Sequence, residues 1–122
     1  MKFSDFLFVF IGSGAGGCLR YFISKVLVTS GSFPFATLLI NILACLLAGL
    51  LLVRFETNFI HQPEYRLLLL IGFCGGFSTF SAFGLETFEL IQKGNVMSAL
   101  AYVGISVGAG LASVATAIKL NA

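Results

Sequence analysis

The sequence predicts an all-α membrane protein: four transmembrane helices with a break in the third, assembled as an antiparallel, dual-topology homodimer. Three observations carry this expectation. Of the 122 residues, 58% are hydrophobic and 10% charged, with a mean hydropathy of +1.04, whereas about a quarter of a soluble domain is charged. Turn and charge signals divide the apolar sequence into four runs of the roughly 20 residues that a membrane helix requires. Finally, the third run contains glycines, hydroxyls and a carboxylate from Gly72 to Glu86, which a plain span would not carry.

The first span is placed at about residues 3–28. Lys2 ahead of an apolar run, with small residues at Ala15, Gly16 and Gly17, imitates a signal peptide. The apolar pattern continues beyond Arg20 with no polar domain behind it, so the segment reads as a retained span. The second covers about 35–53 and is entered by Pro34, which suits a helix's first turn. The third covers about 66–91 and the fourth about 96–118. The connections are short, so residues 1–122 form a single four-helix membrane domain with both termini on one side.

Each span has a small or polar face. Gly12 and Gly16, Ser13 and Gly17, and Gly104 and Gly108 stand four apart, a spacing that lets helix backbones approach closely in lipid. Thr37, Asn41, Ala44 and Ala48 share one face of span two, and Tyr102, Ser106, Gly110 and Ser113 one face of span four. Packing alone accounts for any one of these residues; polar faces on three helices together point to a pathway.

The break is expected at Gly75-Gly76, followed at once by Ser78 and Thr79, because lipid supplies no water to free backbone groups and tolerates them only around a buried or water-lined site. At about 1.5 Å per residue the glycine pair lies ~14 Å from Arg66, near the bilayer midplane. Phe80 and Phe83 project from the helix that restarts, and Glu86 approaches the far interface. Arg20, ~25 Å into span one by the same measure, either snorkels or anchors a pore mouth.

Lys2, Arg54, Arg66 and Lys119 fall on the side of the termini, and Arg20, Lys25 and Lys93 on the other. Orientation follows the asymmetry of positive charge, and four against three is nearly symmetric. A chain that inserts both ways pairs naturally with an inverted copy, and an element at half depth then meets its counterpart across the two-fold axis.

Cys18, Cys45 and Cys74 lie in apolar stretches without C-x-x-C spacing and read as packing residues. His61 is alone in a polar loop, so no nucleophile–base pair forms and no enzyme is expected. A net charge of +2 is too small to imply a nucleic-acid partner.

The strings Gly12-Ser13-Gly14-Ala15-Gly16-Gly17-Cys18-Leu19-Arg20-Tyr21, Thr37-Leu38-Leu39-Ile40-Asn41, and Gly72 through Phe83 closed by Glu86 resemble the Fluc (CrcB) family of bacterial fluoride channels. The resemblance implies a multi-pass protein of the bacterial inner membrane that exports cytoplasmic fluoride passively and gives fluoride resistance. It implies a dual-topology homodimer with a structural Na⁺ at its centre, held by main-chain carbonyls matching Gly75 and Ser78, with Thr79 beside them. The fluoride pathway matches Phe80, Phe83, Asn41, Ser81, Tyr102 and Ser106, with Thr37 and Glu86 at a polar mouth and Arg20 in a structural or vestibule role. Ala82 and Gly110 depart from the pattern, which often has hydroxyls there. The physics is compatible: aromatic edges are positive, and amides and hydroxyls are donors. On spacing alone, packing is the favoured reading of Phe80 and Phe83, and it is the family motif that reverses it. The competing class is a small dual-topology proton-coupled multidrug exporter, which needs a titrating carboxylate in span one, where only Asp5 stands, at the edge. A holin-like pore would leave the Gly75–Glu86 string without a purpose.

Overall fold

Four helices are long and apolar enough to cross a membrane: Phe3–Val26, Phe35–Thr57, Pro63–Gln92 and Val96–Leu120. The structure, a computed structural model, describes residues 1–57 and 62–121; His61 lies outside them. α1 (Phe3–Val26) begins where Asp5 turns back on the chain, its Oδ2 accepting the Lys2 N–H at 2.8 Å and placing negative charge in the first turn. α2 (Phe35–Thr57) is entered through Pro34, whose carbonyl accepts the Leu38 N–H at 3.1 Å. It continues a turn beyond the expected Val53, because Arg54–Thr57 contains no helix breaker.

The third span is not uniform. α3 (Pro63–Tyr65), a stretch of π geometry (Arg66–Cys74) and α4 (Gly75–Phe77) lead to two extended residues. These are Ser78 (φ −119°, ψ 127°) and Thr79 (φ −125°, ψ 136°), after which α5 (Phe80–Gln92) begins. Gly75 and Gly76, expected to be the non-helical residues, are helical, and Gly75 has φ −65° and ψ −36°. The departure falls on the hydroxyl pair instead, since Ser and Thr offer the backbone local alternatives to helical bonding. Thr79 takes the N-cap role, its Oγ1 accepting the Ala82 N–H at 3.4 Å. Of the two glycines, Gly76 serves packing against Ser13, and Gly75 faces open space.

α5 ends in a Schellman turn. Gly94, at φ 80°, donates to the Ile91 carbonyl and Asn95 to the Leu90 carbonyl, which satisfies the terminal acceptors in a conformation that glycine adopts without strain. α6 (Val96–Leu120) follows. Asn95 Nδ2 donates to Ser32 Oγ at 3.3 Å and ties the two connections at that end together.

α1 packs along the π stretch and α4, while α2 and α5 pack on α6. A Cβ on Gly12 or Gly16 would overlap the backbone at Leu68 or Phe73, and one on Gly76 would overlap Ser13. A Cβ on Gly49 would lie 2.8 Å from that of Ala117, so α2 and α6 are equally close. Gly104 and Gly108, whose spacing marks a contact face, have open space at their Cβ positions among the described residues. Two apolar clusters seal the interior: Ile40, Ala44 and Phe77, and Leu90, Ala99 and Tyr102. Phe3, Phe6, Phe10, Leu100 and Leu111 stand exposed, as lipid-facing side chains of a multi-pass protein do.

Gly16→Ala is expected to destabilise the protein by about 1–3 kcal/mol, since the methyl has no room against Phe73. Gly14→Ala, with open space around it, is the control. Thermal unfolding in detergent should lower the midpoint of the first variant only.

Candidate functional site

Helix periodicity and the packing of α2 and α5 on α6 bring three rows of side chains together. Thr37, Asn41 and Cys45 stand four apart on α2, Tyr102 and Ser106 four apart on α6, and Phe80, Phe83 and Glu86 three apart on α5. They form two adjoining clusters.

In the first cluster a carboxylate is held by hydroxyls. Thr37 Oγ1 donates to Glu86 Oε1 at 2.7 Å, and the Tyr102 hydroxyl donates to Oε2 at 2.8 Å. Tyr102 is completely buried and Thr37 nearly so. Hydrogen bonds to an ionised acceptor are the strong ones, so these two fix the carboxylate and tie all three helices. The Tyr102 ring also lies against Phe83, with centroids 5.2 Å apart.

The second cluster surrounds a hollow of about 250 Å³ between Asn41, Cys45, Ser78, Phe80, Phe83 and Ser106. Ser78 Oγ donates to Asn41 Oδ1 at 2.6 Å. That bond occupies the acceptor end of the amide and leaves its N–H₂ end for a ligand. Ser106 Oγ is buried and, among the described residues, has no partner. An orphaned buried hydroxyl costs roughly 1–3 kcal/mol, which a ligand or a water would offset. Phe80 is 84% exposed, and its ring is tilted 42° to that of Phe83 at 5.6 Å. Ring edges carry partial positive charge. The lining therefore offers a hydroxyl, an amide and two aromatic edges, and no basic side chain. Such a set can offer donors and positive edges to a small anion.

The other expected residues are distributed differently. Thr79 also lines the hollow, but its Oγ1 is occupied as the cap of α5. Ser81 is exposed and lies outside the hollow. Gly75 is exposed with open space at its Cβ position. Arg20 Nε donates to the Gly76 carbonyl at 3.3 Å instead of standing free at a mouth. Ser113 turns onto its own helix, its Oγ donating to the Ala109 carbonyl at 2.7 Å. At Gly110 a Cβ would lie 3.3 Å from Cys45 Sγ, so a residue without a side chain suits the packing there. Two contributions escape sequence reading. Cys45 lines the hollow, and its spacing of four from Asn41 is a signal that could have found it. The Ser78 hydroxyl has no local signal, because its partner is 37 residues away.

Residues 7–118 match the sequence profile of the family described as CrcB-like protein, Camphor Resistance (CrcB). The chain belongs to the CrcB family. Among its relatives is a protein of Methylobacterium sp. (strain 4-46) named fluoride-specific ion channel FluC, 43% identical over 93% of both chains. Another, named fluoride-specific ion channel FluC 1, from Bradyrhizobium diazoefficiens, is 44% identical over 89% of this chain and 78% of its own. A Pyrococcus furiosus protein named fluoride-specific ion channel FluC is 45% identical over 82% of this chain and 81% of its own. In this CrcB-family chain both clusters fall inside the matched region.

Tyr102→Phe keeps the ring against Phe83 and leaves Glu86 Oε2 without its donor. The expected loss is about 1–3 kcal/mol. Combined with Glu86→Gln the two losses should fall short of additive, which a double-mutant cycle on unfolding midpoints would read.

Proposed function

We infer that this CrcB-family protein is a fluoride-selective channel of the bacterial plasma membrane, through which cytoplasmic fluoride leaves passively. Hydrogen fluoride enters from acidic surroundings, dissociates inside, and the trapped anion exits down its gradient, giving fluoride resistance. The observation that carries this reading is the hollow, where the orphaned Ser106 hydroxyl and the Asn41 amide meet the edges of Phe80 and Phe83. The names of the relatives supply the identity of the anion. It is a channel and not an enzyme. A proton-coupled exporter would need a titrating carboxylate within the first span, and Asp5 is bonded to Lys2 at the very start of α1.

The active unit in this reading is an antiparallel homodimer of oppositely inserted copies, with Ser78–Thr79 as a functional break at half depth. The near-even distribution of positive charge supports dual insertion. The open flank of the hollow at Phe80 and the unoccupied faces of Gly75, Gly104 and Gly108 support a partner copy. A central Na⁺ fits the chain: a helix that stops at Phe77 leaves main-chain carbonyls short of N–H partners. Gly75 and Ser78 would hold the ion, with Thr79 beside them. No cluster of three His, Cys, Asp or Glu among the described residues offers a side-chain alternative. The ion would supply fixed positive charge at low dielectric.

Liposomes loaded with fluoride or chloride test the function. Wild-type protein should release fluoride, read with an ion-selective electrode, and retain chloride. Phe80→Ile or Phe83→Ile should lower flux roughly tenfold or more, about 1.4 kcal/mol of barrier, without loss of folded protein. Unchanged flux in both variants would reduce the rings to packing residues.

Topology has its own readout. A single cysteine at Gln62, after replacement of Cys18, Cys45 and Cys74, should be labelled from both membrane faces. Two added lysines near Arg66 should drive most copies one way and abolish activity, and a copy with lysines added beside Lys93 should restore it. Labelling from one face only in the otherwise wild-type chain would refute dual insertion.

A further inference from the structure

An arginine within a membrane span is expensive unless its donors are matched, and Arg20 is matched by main chain. Its Nε–H reaches the Gly76 carbonyl at 3.3 Å, across 56 residues of sequence. Two glycines permit the approach. Gly16, a turn before Arg20, has no Cβ to hold α1 away from Phe73 and Phe77, and Gly76 has none to hold α4 away from Ser13. Gly76 is also where a helix runs out of donors. Its regular i+4 partner would be Phe80, which lies beyond the extended pair in the next helix. The Arg20 Nε–H supplies the hydrogen bond that this carbonyl lacks.

We propose that Arg20 is the positioning residue of the Ser78–Thr79 segment: its Nε–H caps the helix ending at Phe77 and so sets where the extended pair begins. The effect passes along the chain. Ser78, placed by that stop, reaches Asn41. Thr79 caps α5 and thereby orients Phe80 and Phe83. Arg20 lies outside the lining of the hollow and acts on it through the main chain, by a donor at a fixed position and not by its charge. Only the flux arm of the test below rests on the fluoride-channel reading.

Three substitutions separate donor from charge. Glutamine Nε2 is as many bonds from Cα as arginine Nε, so Arg20→Gln keeps the donor and discards the charge. Arg20→Lys keeps the charge but puts a carbon at that position, with the ammonium one atom further on. Arg20→Met keeps neither. Amide hydrogen exchange across residues 76–82 of the full chain in detergent reads the cap directly, and fluoride efflux from liposomes reads its consequence. Exchange in Arg20→Gln should stay near wild type, and in Arg20→Lys and Arg20→Met it should rise roughly tenfold or more, as expected for loss of a charge-assisted hydrogen bond at a local opening site. Flux should fall in the same order. Protection and flux retained by Arg20→Lys and lost by Arg20→Gln would overturn the proposal in favour of a charge effect. Unchanged exchange in Arg20→Met would overturn it outright. If Arg20→Met does not fold, the comparison of Gln with Lys decides alone. A wild-type protein without fluoride flux would refute the channel reading, while the exchange measurement would still decide the role of Arg20.

Discussion

Main-chain N–H and C=O groups in a bilayer have no water to turn to, and two extended residues in an apolar run of 30 are a direct challenge to that constraint. The rest of the third span is arranged around meeting it. The Ser78 N–H still finds the Cys74 carbonyl at 3.1 Å, the Thr79 hydroxyl receives the Ala82 N–H, and Arg20 supplies a donor to Gly76. The last of these partners is within reach because α1 lies almost backbone to backbone against the π stretch and α4. Gly12, Gly16, Gly72 and Gly76 are what allow that distance. The glycines therefore act one step away from where their sequence draws attention: they do not bend the chain, they admit the helix that stabilises its departure from helicity.

The second constraint is electrostatic. In the proposed channel, a full positive charge in the hollow would hold a small anion too strongly to release it, because conduction needs binding that is favourable but escapable. The lining meets this with partial charges: the Asn41 amide, the Ser106 hydroxyl and the ring edges of Phe80 and Phe83. The adjoining carboxylate looks out of place beside an anion site, yet both of its oxygens are taken up by Thr37 and Tyr102. The consequence is a division of labour among the hydroxyls. Those of Thr37 and Tyr102 are committed to Glu86 and tie α2, α5 and α6 into one unit, so the donors left to the hollow are Asn41 and Ser106. Phe83 touches both clusters, through its contacts with Tyr102 and Phe80, and transmits the position of one to the other.

Four apolar helices and the rows that converge on the site were legible in the sequence, because composition and a period near 3.6 determine them. Thr37 and Asn41 could be placed on one face of span two, and Tyr102 and Ser106 on one face of span four, from spacing alone. What spacing could not tell was which partner each side chain chooses. Arg20 reads as a snorkelling or mouth residue until the approach of α1 to α4 is known, since its acceptor is a carbonyl 56 positions away. Ser78 reads as a carbonyl donor to a cation until its hydroxyl is seen on Asn41. The extended pair was misplaced by three residues for a related reason. Gly-Gly is the stronger breaker in water, but here Gly76 sits against α1, which rewards a regular backbone without a side chain, while Gly75 faces open space. Gly104 and Gly108 show the converse, a packing signature with no counterpart inside one chain.

Taken together, these features describe half of a site. Phe80 projects its ring away from the chain, Gly75 presents bare backbone at half depth, and one face of α6 carries glycines that touch nothing. A glycine groove gains nothing from lipid, which suits these faces to a second helix surface. In the proposed antiparallel dimer the two-fold axis lies in the membrane plane and brings like elements together at half depth, which is where this chain leaves its backbone uncovered. In that proposed dimer the near-symmetry of the positive charges would have a physical purpose: it would keep both orientations populated, so that each copy could find the inverted partner able to close its open side.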